Sequence, residues 1–116
     1  MNYKSNISLI ERIKESNRIL TKYPDRIPII CEKNVNASKD CPIIEKNKYL
    51  LSKDITVGQF MYIIRKRLNI PANKALFLFI GNIIPSSTNH IISLYNSYKD
   101  IDNFLYINYS FENTFG

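Results

Sequence analysis

The sequence predicts one α+β domain, a mixed sheet with a long helix laid across it, and three observations carry that reading. The chain has 116 residues, enough for one hydrophobic core and too few for two. Hydrophobic residues make up 45% and charged residues 22%, an ordinary globular composition that confines disorder to the ends. Apolar residues switch between helical and strand-like spacing, in the order helix, strand, strand, helix, strand, short helix, strand.

Ser8 and Glu11 have the spacing of a capping box. Leu9, Ile13 and Leu20 then recur near helical spacing until Tyr23 meets Pro24, which predicts a helix over roughly residues 8–22. Residues 1–7 add a short, loosely held helical turn. Ile27 to Glu32 reads as a strand, and Pro28, which cannot donate to a ladder, predicts that it lies at a sheet edge. Asn34 to Pro42 is polar and turn-rich, and Lys48 to Ser52 supplies a second strand.

The best-marked helix start is Thr56 with Gln59, a second capping box flanked by Ile55 and Phe60 as a hydrophobic staple. Val57, Phe60, Met61, Ile64 and Leu68 form one apolar stripe, so this helix ends near Leu68 or Asn69 and lies across the sheet. The apolar run from Ala75 to Ile80 suits a central strand, Leu94, Tyr95 and Tyr98 a short helix, and Phe104 to Tyr109 the last strand. A β-grasp satisfies this order most economically. It leaves the first helix for the opposite face of the sheet.

The formal charge of +6, from 16 basic against 10 acidic residues, favours acidic peptides, anionic lipid headgroups or RNA as partners, or a basic surface that is merely solvated. Cys31, Cys41 and His90 cannot supply a four-ligand zinc set, and the cysteines read as reduced and structural. No metal or cofactor is expected. His90 has no recognisable nucleophile partner, no phosphate loop is present, and Glu11, Glu15, Asp25, Glu32, Glu45 and Asp54 lack the spacing of an acid–base pair, so no enzyme is predicted. Apolar runs are too short to cross a bilayer, and Asn2 and Lys4 are unlike a signal peptide, which predicts a soluble intracellular chain.

Three segments carry a resemblance that runs nearly end to end. They are Lys22 to Lys33 (KYPDRIPIICEK), Lys48 to Phe60 (KYLLSKDITVGQF) continuing to Arg67, and Tyr106 to Gly116 (YINYSFENTFG). Together they resemble the autophagy-related protein 8 family of ubiquitin-like modifiers, which includes the GABA receptor-associated protein and the microtubule-associated protein light chain 3. The resemblance implies a ubiquitin-like β-grasp with two additional N-terminal helices. It divides the chain into a helical extension over 1–24, the β-grasp domain over 25–110 and a flexible tail over 111–116.

It further implies conjugation of Gly116 to phosphatidylethanolamine through a thioester relay, with activating, conjugating and deconjugating enzymes as partners. The chain ends on glycine, so no trimming is expected first. The body, expected to be monomeric, is implied to bind receptor peptides with an aromatic residue, two spacers and an aliphatic residue, added to the edge of Lys48 to Ser52. The aromatic pocket implied by the resemblance comprises Glu15, Ile19, Pro28, Lys48, Leu50 and Phe104. The aliphatic pocket comprises Tyr49, Leu51, Ile55, Phe60, Ile63 and Ile64. For Phe60 and Ile64 a plain core role is an equal alternative. Arg26, Lys46, Lys48 and Arg65 are candidate contacts to acidic flanking residues; for Arg65 to Arg67 taken singly a solvated face is the better account, and only the neighbouring pocket residues tip Arg65 toward function. Phe77 and Phe79 are implied to dock the processing and activating enzymes, or else pack under the N-terminal helices.

This chain departs from the family pattern in a loop over Asn34 to Pro42 expected to be longer than in the animal members, in Ser52 where proline is usual after Leu51, and in Asn108 where the residue is more often small. The expected location is the cytoplasm and the autophagosome membrane, with another organelle such as a plastid as the alternative. Competing functions are a non-conjugated peptide adaptor and a basic RNA- or cytoskeleton-binding domain.

Overall fold

A computed structural model describes residues 2–112. Its helices are α1 (Tyr3–Asn6), α2 (Leu9–Lys22), α3 (Val57–Leu68) and α4 (Ile91–Tyr98). Its strands are β1 (Arg26–Lys33), β2 (Lys48–Ser52), β3 (Phe77–Phe79) and β4 (Leu105–Ser110). The sheet order is β2-β1-β4-β3, with β1 and β4 parallel and the outer pairings antiparallel. That is the predicted β-grasp.

Side chains alternate across β1 and so divide the interior into two unequal clusters. Ile27, Ile29 and Cys31 join Tyr49, Leu51, Phe60, Ile64, Leu78, Leu105 and Tyr109 in a large core beneath α3. On the other face, Ile30 joins Ile19 of α2 and Phe104 in a small cluster, with Tyr3, Leu50 and Tyr106 packed around them. The N-terminal helix therefore covers the face opposite α3, as expected.

Helix α3 begins where the sequence places it, because Thr56 and Gln59 satisfy each other's backbone donors. Asn69, left-handed at φ 53°, ends it by donating to the Arg65 and Lys66 carbonyls. Only half of the box at Ser8 forms: its hydroxyl accepts from the Glu11 N–H at 3.2 Å. A reciprocal box closes instead at Asn2 and Ser5, the cap of α1.

Two expectations require correction. First, β1 is an interior strand despite Pro28. The Cys31 N–H donates to Asn47 at 2.7 Å, so by antiparallel alternation the residue 28 nitrogen faces away from β2. The ladder to β4 begins only at Ile29 and Leu105, and the Asn103 carbonyl, which the parallel register sets opposite the residue 28 nitrogen, accepts from the Tyr95 hydroxyl instead. No partner is lost at Pro28. Second, the run from Ala75 to Ile80 contains an edge strand, β3, rather than a central one. It is apolar throughout because Leu78 and Phe79 are buried on opposite faces. Helix α2 forms as expected over Leu9–Lys22, with a buried stripe of Arg12, Ser16 and Ile19, whereas Leu9 is exposed and Ile13 and Leu20 are half-buried.

Candidate peptide-binding edge

Strand β2 forms one border of the sheet. Because Tyr49 and Leu51 are in step with the Cys31–Asn47 hydrogen bond, their backbone groups face β1, while those of Lys48 and Leu50 point outward. An extended chain can pair with such an edge.

On the α2 side, the fully buried Ile19 and Phe104 pack with the half-buried Leu50, and Pro28, also buried, stands on the same face of β1 as Ile30. Glu15 ties α2 to the edge strand. Its carboxylate accepts from Lys48 Nζ at 2.5 Å and from Arg18 Nε at 2.6 Å. The Arg18 hydrogen bond, reinforced by Lys48 and opposed by partial burial, holds the Glu15 pKa down at about 2. Tyr3 stands edge-on to Phe104 at 5.4 Å, and Lys48 Nζ lies 5.6 Å from the centre of its ring.

On the α3 side, Tyr49 and Phe60 meet edge-to-face at 5.4 Å. Tyr49, Leu51, Phe60 and Ile64 are buried, whereas Ile55 and Ile63 are half-buried and form the accessible rim. Phe60 and Ile64 are core residues first and can serve only as the floor of a pocket. Burial pushes the Tyr49 phenol up to about 12, and its hydroxyl has no hydrogen-bond partner among the described residues. The structure thus brings both predicted pocket sets to opposite faces of one strand.

The sequence matches the family model described as "Autophagy protein Atg8 ubiquitin like" over residues 11–116. The chain belongs to this Atg8 family. It is 51% identical over 114 residues to autophagy-related protein 8h of Arabidopsis thaliana, covering 98% of this chain and 94% of that protein. It is likewise 51% identical over 114 residues to autophagy-related protein 8 of Schizosaccharomyces pombe, covering 98% and 93%. The crystal structure of Trypanosoma brucei ATG8 matches with a TM-score of 0.89 at 36% identity, covering 95% of this chain and 93% of that one.

Other residues singled out from the sequence as Atg8-type contacts have more varied surroundings. Arg26 is exposed, and Lys46 lies over the Tyr49 ring at 5.2 Å. Arg65 is engaged locally, donating to the Pro71 carbonyl at 2.8 Å. Phe77 and Phe79 stack at 6.4 Å on the sheet face away from α3, with Phe79 buried and Phe77 half-buried. Gly116 lies outside the described residues. His90 starts α4 without a side-chain cap bond, and no cluster of metal-ligating side chains exists among the described residues.

Sequence reasoning missed the polar seam that holds α2 in place. Asp102, fully buried, accepts from Arg12 Nε at 2.8 Å and from the Tyr106 hydroxyl, and its carbonyl accepts from Ser16 at 2.6 Å. Arg12 also donates to the Lys4 and Ile7 carbonyls at the α1–α2 junction. Burial, together with the hydrogen bond to the Asp102 carboxylate, carries the Tyr106 phenol far above its ordinary range. Tyr3 was missed as well. Its only sequence signal is an aromatic residue in an otherwise polar start.

Proposed function

We propose that this Atg8-family chain is a conjugated modifier that recruits peptides rather than an enzyme. Gly116 is adenylated, passed as a thioester between activating and conjugating enzymes, and bonded to the amine of phosphatidylethanolamine. Two acyl chains then give stable attachment to the autophagosome membrane, where one would bind only marginally. No helix among the described residues is long and apolar enough to cross a membrane, so such attachment accounts for membrane function without a span.

The observation that carries the recruiting half is the open edge of β2, with apolar side chains on both of its faces. A peptide added there alternates its side chains between faces. An aromatic residue reaches the cluster around Leu50 and Phe104, and an aliphatic one the rim around Ile63. Lys46 and Lys48 favour acidic flanking residues, chiefly by speeding association.

The test is reconstitution with cognate activating and conjugating enzymes, ATP and liposomes containing phosphatidylethanolamine. The expected result is a lipid conjugate that forms with the parent chain and fails with Gly116→Ala, while peptide binding is equal for both. A parent chain that binds peptide but is never conjugated is an adaptor only, and equal lipidation of the variant removes Gly116 from the mechanism.

A further inference from the structure

The loop between β1 and β2 is anchored to the end of β4. Asn34 N–H donates to the Tyr109 carbonyl at 2.8 Å, and the Asn34 side chain donates to Asn108 at 2.5 Å. The Tyr109 hydroxyl accepts from Ile44 N–H at 2.8 Å and donates to the Pro42 carbonyl at 2.6 Å. Tyr109 is fully buried. The loop is thus a braced platform rather than a free excursion.

Its tip grips the chain just beyond β4. Ser38 N–H donates to Glu112 Oε1 at 2.8 Å, and the Ser38 hydroxyl lies 3.3 Å from Glu112 Oε2. Ser38 also hydrogen-bonds Asp40, which pairs with Lys74 at 3.5 Å. Lys74 Nζ in turn lies 4.8 Å from the centre of the Phe111 ring, and Phe111 packs against the large core. Lys74 therefore bridges the loop and the ring, while Ser38 holds the neighbouring carboxylate. Nothing in the peptide-binding edge uses these residues.

We infer that Ser38, Asp40 and Lys74 form a clasp that holds Phe111 and Glu112 against the domain and so controls delivery of the C-terminal glycine to the activating enzyme. This rests on the proposed conjugation of Gly116. Four residues follow Glu112, and extended they reach at most about 14 Å. Freeing Phe111 and Glu112 adds about 7 Å of reach. An enzyme that threads the tail into a narrow channel captures the unclasped form, and its apparent affinity is lowered by the fraction of chains that are clasped. Ser38, Asp40 and Lys74 are positioning residues, since none touches the reacting carbonyl.

The experiment combines amide hydrogen exchange on the full chain with kinetics of thioester formation on the activating enzyme. Lys74→Ala removes an exposed side chain, and Ser38→Ala with Asp40→Ala weakens the same clasp from the loop. Each is expected to speed exchange at the Ser38 and Phe111 amides, leave β1 and β4 protected, and lower the KM for the chain about three- to tenfold with kcat unchanged. Glu112→Gln, which keeps an acceptor for the Ser38 N–H, should retain more protection than Glu112→Ala. Unchanged exchange in all variants overturns the clasp. Faster exchange with an unchanged KM, or a change in kcat alone, overturns its control of delivery. A parent chain that forms no thioester overturns the proposed conjugation and, with it, that control, while the exchange data still decide whether the clasp exists.

Discussion

Truncating Leu50 and Ile63 together tests the two-faced edge most directly, because each side chain is half-buried in the free protein and stands on its own side of β2. Each change to alanine removes three carbons, about 2.4 kcal/mol of burial at about 0.8 kcal/mol per carbon. Half of that is already realised in the free domain, so each substitution costs about 1 kcal/mol of stability. The other half, again about 1 kcal/mol, is lost from peptide binding. The two contacts lie on opposite faces and should add to about 2 kcal/mol, giving a drop in affinity of about 30-fold. Tyr49→Ala is the wrong probe, since Tyr49 is 4% exposed and locked edge-on against Phe60. Calorimetry with an acidic aromatic-x-x-aliphatic peptide measures the binding loss, and urea unfolding measures the stability loss. A double variant that is folded, shifted in urea as expected and within twofold of the parent in affinity would refute the groove.

Three further outcomes follow from the geometry. The Glu15 carboxyl is depressed from 4.5 to about 2 on folding, so its stabilising effect is complete above pH 4.5 and is lost as pH falls towards 2. The stability difference between the parent and Glu15→Gln should therefore be flat from pH 8 to about 5 and shrink below that in acid titrations; a difference that grows in acid would reverse the assignment. Thr56→Ala removes the cap that accepts from the Gln59 N–H at 3.2 Å and should cost about 1 kcal/mol in chemical denaturation. Asp102→Asn weakens the partner of Arg12 without changing shape, and should speed amide exchange throughout α2 at least several-fold while α3 stays protected. Uniform acceleration across both helices would place Asp102 in the global core instead.

How much was legible in the sequence depended on how local the controlling interaction is. Thr56 and Gln59 lie three residues apart, so the start of α3 could be read from a pair of letters and matches the structure. Arg12 and Asp102 are separated by 90 residues, and no pattern within α2 announces that its buried side must hold a cation. Hydrophobic periodicity therefore selected Leu9, Ile13 and Leu20, when the polar seam instead turned Arg12 and Ser16 inward. Sheet order was hidden for a related reason. Hydropathy reports that both faces of β3 are covered, but not that only β4 lies beside it. Pro28 misled because its effect depends on which side the missing donor faces, and that is fixed by register. The two pocket sets came from resemblance, and the fold brings them to one strand. Their division between accessible rim and buried floor needed the three-dimensional packing.

The two faces of β2 are held by different physics, and this bears on how a peptide would be received. Beneath α3, Phe60 and Ile64 are fully buried in the large core, so moving that wall means opening close-packed apolar contacts, each costly. Beneath α2 the apolar contact is small, and the wall is fixed mainly by Arg12–Asp102, Lys4–Asp100, the Tyr3 N–H to Glu32 and Glu15–Lys48. Several of these bonds lie at the surface, where ion pairs are individually weak and salt-sensitive. The aliphatic side would consequently be the rigid reference against which a peptide is registered. On the aromatic side, Tyr3 covers Phe104 and Lys48 is shared between Glu15 and the Tyr3 ring. An aromatic side chain entering there competes with Tyr3 for Phe104, and an acidic residue competes with Glu15 for Lys48. A peptide drawn to Lys48 would have to loosen the bond from α2 to the edge, so occupancy of the proposed aromatic pocket would be coupled to the position of the N-terminal helices through Lys48.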